Sequence, residues 1–424
     1  MKKSLEIIRD QQKERILLAM VDFKQDRNRW PIEEIQNEMV ELVLACGAQI
    51  VGTILCPLVK PTAGYLISEG KLNDIADFCK TTAVDTVIFS YDLKGSQQRN
   101  LEDVIKTRTI DRTQLILDIF ARHATTKEGK MQVELAQLQY LLPRLVGHGI
   151  ELSQLGGGIG TRGPGETKLE MDRRRIAERV TRLKRELKEV VANRALTRKK
   201  RKDNGLPSIS LVGYTNAGKT TLLNLLTEEQ QLTKDGLFTT LDSLSRQLIL
   251  PNHQKVVLSD TVGFMHELPH HLIEAFKATL EEVQQADLLL HVLDVSHPHF
   301  NHLFESVEKV LQDLQAHEKP IIMVLNKIDK LDDQTSLEQL RRHFENAVCI
   351  CAKTGQNVPE LLDKIKSMLS DVFVEINVQV PIQRMDLVNL VHEEGQVYSI
   401  KYYNDSINIR AAVPQHLVGK FTND

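Results

Sequence analysis

Gly213-Tyr214-Thr215-Asn216-Ala217-Gly218-Lys219-Thr220 matches the pattern G-x-x-x-x-G-K-[ST], and the rest of the chain can be organised around it. The apolar run Ile209-Ser210-Leu211-Val212 precedes it and reads as a buried strand, while Thr221-Leu222-Leu223-Asn224-Leu225-Leu226 follows and reads as a helix. Strand, Gly-rich turn and helix together form the context that gives the pattern a mechanism. Glycines let backbone N–H groups close around phosphate oxygens at a helix N-terminus, where the dipole favours negative charge. Lys219 is then expected to reach the outer phosphates, and the Thr220 hydroxyl to ligate Mg²⁺.

Downstream, Pro320-Ile321-Ile322-Met323-Val324-Leu325 reads as a strand ending in Asn326-Lys327-Ile328-Asp329, the N-K-x-D pattern. The Asp329 carboxylate can accept hydrogen bonds from the N1–H and 2-amino groups of guanine. Adenine offers neither, so the wrong base would leave a carboxylate unpaired, a discrimination of about 10⁴-fold or more. Asn326 is expected to tether the loop, and the stem of Lys327 to cover one face of the base. Cys351-Ala352-Lys353 resembles the S-A-K motif, in which the Ala352 N–H would meet guanine O6, with Cys351 in place of the usual Ser.

Between these motifs, Val256-Val257-Leu258-Ser259-Asp260-Thr261-Val262-Gly263 reads as a strand ending in D-x-x-G. Asp260 is expected at Mg²⁺, and the Gly263 N–H at the γ-phosphate. Leu237-Phe238-Thr239-Thr240-Leu241-Asp242 offers a switch threonine, and Thr240 falls at the Thr of the F-x-T-L-D pattern of related GTPases. Thr220, Thr240 and Asp260 are thus the expected metal ligands, and Lys219, Asn216, Thr240 and Gly263 the catalytic set. Phe264 stands where a Gln usually orients the attacking water, and a phenyl ring cannot do so. The residues leave two readings open, an inactive nucleotide-binding module or slow hydrolysis completed by another group. Asn216 resembles the P-loop asparagine of potassium-activated GTPases, so K⁺ is a candidate second cofactor that would spread transition-state charge.

The 424-residue length fits two or three domains, and 42% apolar with 26% charged residues is ordinary for a globular protein. Met1-Lys2-Lys3-Ser4-Leu5-Glu6 lacks an apolar signal core, and five cysteines without framework spacing suit a reducing compartment, so a cytoplasmic protein is expected. Cys349 and Cys351 are expected to share one face of a strand as packing residues, and His297, His299 and His302 to lie in a solvated loop. Arg15–Val21 reads as a strand, Ile32–Cys46 as an amphipathic helix, and Ala48–Leu55 and Thr86–Ser90 as further apolar runs, an alternation that suggests a small α/β domain.

Two long helical patterns come next. Met131, Leu135, Leu138, Leu142 and Leu145 form one stripe, and Leu169, Ile176, Leu183 and Val190, with Val180 and Leu187, form another. Such stripes can bury each other by pairing, which predicts an antiparallel hairpin whose second helix opens with a Thr167/Glu170 capping box and runs about 50 Å. Residues 168–202 carry 15 Lys or Arg against 5 Asp or Glu, an excess of +10 in a chain of net charge −3. A phosphate-binding stripe is one reading of that excess and a solvated helix face the other. Arg162, Arg173, Arg174, Arg175, Arg198, Lys199, Lys200 and Arg201 are the candidate RNA contacts. The linking run Gly158-x-Gly160-x-x-Gly163 fits a dinucleotide fingerprint in form, but no strand precedes it, and a Gly-rich tip between basic helices suits an RNA site better.

Gly156 through Glu170, Ile110-Asp111-Arg112-Thr113, Gln132-Val133-Glu134-Leu135-Ala136-Gln137-Leu138, Asp260-Thr261-Val262-Gly263-Phe264 and Ala275-Phe276-Lys277-Ala278-Thr279-Leu280-Glu281-Glu282 resemble the HflX family of ribosome-associated GTPases over nearly the whole chain. Phe264 is that family's residue, so the resemblance implies an active enzyme. It also implies Mg²⁺-dependent GTP hydrolysis to GDP, binding to the large ribosomal subunit, and splitting or rescue of stalled ribosomes, by a chain expected to act as a monomer. Action on another RNA, or in peripheral membrane association, without ribosomal stimulation is the alternative. The expected architecture is α/β. An N-terminal α/β domain spans residues 1–124 and a basic helical hairpin 125–203. A P-loop domain with a doubly wound, mostly parallel sheet spans 204–372, and a small α/β appendage 373–424.

Overall fold

A computed structural model describes residues 13–24, 30–145, 164–203, 206–227, 244–252, 254–266, 277–331, 334–369 and 373–422. The chain forms two compact units, Met1–Arg122 with Val133–Leu183, and His123–Gln132 with Lys184–Asp424.

In the first unit β1 (Arg15–Phe23), α1 (Ile32–Ala45), β2 (Gln49–Leu58), α2 (Glu69–Thr82), β3 (Thr86–Phe89), α3 (Gly95–Ile105) and β4 (Arg108–Asp111) alternate as expected, followed by α4 (Arg112–His123). The strands form a parallel sheet in the order β2-β1-β3-β4. Ile16 through Val21 are all buried, as a central strand covered on both faces requires. Asp111 ends β4 fully buried and accepts hydrogen bonds from the Leu93 and Gln114 N–H groups, the Tyr140 hydroxyl and the Arg144 guanidinium.

The two helical patterns become α5 (Lys127–Leu141) and α6 (Pro164–Asp203). At 40 residues α6 is about 60 Å long, longer than expected. Its start lies at Pro164 rather than at the predicted capping box, because Pro is preorganised for the first helical position. Thr167 therefore sits inside the helix. Within the first unit Arg179 binds both carboxylate oxygens of Glu134 at 2.7 Å, and within the second Arg194 pairs with Glu128 at 2.7 Å. Rising numbers on one helix meet falling numbers on the other, so the pairing is antiparallel. Leu183 and Leu187 are its buried stripe residues on α6, and Met131 and Leu135 on α5. The Gly-rich tip lies outside the described residues.

In the second unit β5 (Ser208–Val212), α7 (Lys219–Thr227), β6 (Leu244–Ile249), β7 (Lys255–Asp260), α8 (Lys277–Gln285), β8 (Leu288–Asp294), α9 (Phe300–Asp313), β9 (Ile321–Asn326), α10 (Gln334–His343), β10 (Ala347–Cys349) and α11 (Val358–Met368) follow in order. Their sheet runs β10-β9-β8-β5-β7-β6 and is parallel except at β6, which runs antiparallel to β7. The chain proceeds from β5 to one side and returns to place β8 on the other. The carboxyl end of β5 is thus a topological switch point, where such sheets bind ligands. A separate antiparallel sheet, ordered β11-β13-β12, comprises β11 (Phe373–Pro381), β12 (Gln396–Tyr402) and β13 (Ser406–Pro414). It packs one face against α12 (Met385–Glu394) and α13 (Gln415–Thr422) through Ile376, Val391, Ile409 and Leu417.

Candidate nucleotide-binding site

Gly213 and Gly218 bracket the loop at the end of β5 with φ 153° and 96°. A Cβ on the first would lie 2.3 Å from the Val292 carbonyl oxygen, and on the second 2.3 Å from Asn326 Nδ2, so neither position admits a side chain. Asn216 is exposed at the apex in the left-handed region, at φ 60°. Lys219 is buried, and its ammonium donates to the carbonyls of Gly213 at 3.0 Å and Tyr214 at 2.7 Å. Burial lowers its pKa from 10.5 to about 8, opposed by the nearby charge of Asp260. Phosphate oxygens, carrying charge, are stronger acceptors for an ammonium than backbone carbonyls are.

Thr220 Oγ1 donates to Asp260 Oδ2 at 2.8 Å, with Asp260 fully buried at the end of β7. A hydroxyl and a carboxylate are hard oxygen donors of the kind Mg²⁺ takes, so the residues present fit that ion. Thr261 anchors the turn by donating to the Leu211 carbonyl at 2.7 Å, and Val262 is buried. A Cβ on Gly263 would lie 2.9 Å from Thr215 Cα and 3.1 Å from Lys219 Nζ, which places this backbone directly against the loop. Phe264 is buried at 3% exposure, and its backbone is paired to the loop on both sides: its N–H donates to Gly213 O at 3.1 Å and its carbonyl accepts from Thr215 N–H at 2.8 Å. Phe238, Thr239, Thr240, Leu241 and Asp242 lie outside the described residues.

On the base side Asn326 is buried between two loops. Its Nδ2 donates to Ala217 O at 2.8 Å, and its Oδ1 accepts from Ala352 N–H at 2.9 Å. The Ala352 N–H expected at guanine O6 is therefore held by the tethering asparagine. Ile328 is buried, Asp329 is exposed on a short 3-10 turn, and Lys353 is exposed. Cys351 lies beyond β10, in a bridge with Gln356, so it does not share a strand face with Cys349, although both are buried. Asp294 escaped the sequence reading: it ends β8 and pairs with Lys327 at 2.6 Å. Its signal was an acid at the carboxyl end of a buried strand.

Among the RNA candidates Arg173, Arg174, Arg175 and Lys199 are exposed, and Arg201 is half-buried. Arg198 is not a solvent-facing cation, since its guanidinium pairs with Glu281 at 3.3 Å and Glu282 at 3.2 Å on α8. Two carboxylates at that range satisfy it internally. Arg162 and the Lys200 side chain lie outside the described residues. Of the three histidines taken for a loop, His302 lies on α9, its ring stacked on His299 at 5.6 Å. Among the described residues no group of three or more His, Cys, Asp or Glu is placed to hold a metal ion. No described helix is long and apolar enough to cross a membrane.

Four family models match in sequence: residues 33–121 a GTP-binding GTPase N-terminal region, 123–201 a GTP-binding GTPase middle region, 208–327 a 50S ribosome-binding GTPase, and 336–415 an HflX C-terminal domain. The GTPase HflX of Caldanaerobacter subterraneus subsp. tengcongensis is 43% identical over 99% of this chain and 95% of its own length. That of Escherichia coli is 41% identical over 87% and 86%. A GTP-binding protein from Sulfolobus solfataricus, solved in complex with GDP, is 27% identical and overlays with a TM-score of 0.44 over 84% of this chain and 99% of that one.

Proposed function

Because the chain belongs to the HflX family of GTPases, we propose that its GTP hydrolysis is carried out at Gly213–Thr220 and serves to split or rescue stalled ribosomes on the large ribosomal subunit. The observation that carries the site assignment is the Thr220–Asp260 hydrogen bond beside the buried Lys219, with Asn326 tying that loop to Ala352. In this reading Lys219 and the loop N–H groups bind the phosphates, and Gly263 senses the γ-phosphate. Asp329 reads guanine under the stem of Lys327, while Ile328 packs the turn and Lys353 borders the base. Thr220, Asp260 and Thr240 hold Mg²⁺, which when bound supplies positive charge to the phosphate oxygens. Asn216 at the exposed apex would hold K⁺, making up for the missing water-orienting Gln.

Residues 208–327 match a family described as ribosome-binding, which supports the ribosomal target. The exposed Arg173, Arg174, Arg175 and Lys199 suit ribosomal RNA phosphates. The four parts 1–124, 125–203, 204–372 and 373–424 divide these roles within a monomer acting in the cytoplasm. The test is GTP turnover by the full chain with and without large ribosomal subunits, in KCl and in NaCl. Stimulation by the subunits is expected, with faster turnover in KCl. Unchanged turnover on adding subunits refutes the ribosomal reading, and equal rates in the two salts refute the K⁺ role.

A further inference from the structure

Strand pairing places Asp294, at the end of β8, directly across from Asn326, at the end of β9. The next residue, Lys327, takes a left-handed conformation at φ 65°, a strained choice for a side chain with a Cβ and one that clusters at functional sites. That turn brings its ammonium to Asp294 Oδ2 at 2.6 Å and to the Asn216 carbonyl at the apex of the phosphate loop at 2.8 Å. The other carboxylate oxygen is already committed: Asp294 Oδ1 accepts from the Ser296 N–H at 3.0 Å and from its hydroxyl at 2.6 Å. The carboxylate is thereby fixed in rotation, with Oδ2 left to face Lys327. At 15% and 21% side-chain exposure the pair is mostly shielded from water, where a charge-assisted hydrogen bond keeps much of its strength.

We propose that Asp294 is a positioning residue for guanine-nucleotide binding. Its carboxylate clamps the Lys327 ammonium onto the Asn216 carbonyl, so that the lysine stem is laid out in advance over the place where the purine ring stacks. Asp294 touches neither base nor phosphate in this scheme and acts entirely through Lys327. The inference rests on the reading that Lys327 covers the base. A flexible lysine that had to be ordered on binding would cost affinity, and the clamp removes that cost beforehand. The same clamp joins the base-reading loop to the phosphate loop, so the two halves of the nucleotide site are set together.

The test is the dissociation rate of fluorescent GDP from the full chain carrying Asp294→Asn, Lys327→Ala, or both. Asp294→Asn keeps the shape and a hydrogen-bond acceptor but loses the charge, and is expected to speed release about 10- to 100-fold. Lys327→Ala should do at least as much, and the double variant should release GDP no faster than Lys327→Ala alone. Effects that multiply in the double variant overturn the inference, because a carboxylate acting only on the general stability of the domain would not depend on Lys327. Unchanged release from Asp294→Asn with fast release from Lys327→Ala also overturns it. Unchanged release from Lys327→Ala instead refutes the stacking role beneath it. Thermal melts identify a variant that fails to fold, and Asp294→Ser then takes its place under the same criteria.

Discussion

Replacing Asn326 by alanine removes the side chain that links the phosphate loop to the loop carrying Ala352. The carboxamide is 2% exposed, and its two hydrogen bonds leave one orientation open to it: Nδ2 must face the Ala217 carbonyl and Oδ1 the Ala352 N–H. Truncation strands two backbone groups, each costing about 1–3 kcal/mol if left unsatisfied. Allowing for partial relaxation, a local loss of about 2–4 kcal/mol is expected, equivalent to roughly 30- to 700-fold faster hydrogen exchange at the buried Ala352 amide. GDP affinity should fall with it, because both halves of the site lose their common anchor. Asn326→Asp sharpens the test. Its ionised carboxylate can still accept from Ala352 N–H but turns an acceptor towards Ala217 O, so at neutral pH it should be worse than alanine. Protonation restores a donor there, so the aspartate variant should recover as pH falls while the alanine variant does not. Exchange at Ala352 unchanged by Asn326→Ala, or two variants that behave alike at every pH, would refute the tether.

Gly263→Ala forces a Cβ to within 2.9 Å of Thr215 Cα and 3.1 Å of Lys219 Nζ. Single-turnover GTP hydrolysis should fall at least about tenfold while GDP binding, which lacks the γ-phosphate, changes much less. Changing Arg173, Arg174 and Arg175 together to Ala should leave GDP affinity intact and weaken ribosomal stimulation and its salt dependence, measured as turnover against ionic strength. His291 is fully buried on β8, stacked on Phe304, with Glu308 3.6 Å from Nδ1. Burial holds its pKa below the ordinary value, outweighing Glu308, which favours the proton, and adding to the opposing charge of Lys219. The unfolded chain then binds more protons below about pH 6.5, so folding stability should decline as pH falls through that value, by at most about 1.4 kcal/mol per pH unit. Denaturation of His291→Phe across pH 7 to 5 should lack that component of the slope.

The nucleotide motifs were legible because each is a short run of residue types whose turn and following helix are set within a few positions. Gly213 and Gly218 are marked by the positive φ of the turn itself, although the atoms their missing Cβ would strike, on Val292 and Asn326, come from distant strands. Lys219 and Thr220 follow from the helix that starts there. The alternation of β1 to β4 with helices was legible from hydrophobic period alone, and the antiparallel pairing of α5 with α6 from two stripes that needed partners. The start of α6 was misplaced because a plausible capping box competed with Pro164, and proline at the first turn prevailed. Arg198 was misread for a different reason. Charge counted along a helix does not reveal which cations meet carboxylates more than 80 residues away, and Glu281 and Glu282 do so here. Asp294 escaped for the same cause: an acid at a strand end was visible, but only the β8–β9 register brings it beside Lys327.

Those nonlocal contacts change what the site is physically. Read as motifs, the phosphate loop, D-x-x-G and N-K-x-D are three separate contributors to one ligand. In the fold they are joined to one another: Phe264 is paired through its backbone to Gly213 and Thr215, Asn326 joins Ala217 to Ala352, and Lys327 joins Asn216 to Asp294. The Phe264 backbone pairs with the same loop that Asn326 and Lys327 hold from the other side. The phenyl group at this position makes sense in those terms. A water-orienting Gln would need its side chain free, whereas the Phe264 ring is buried and packs the turn after β7 against the loop.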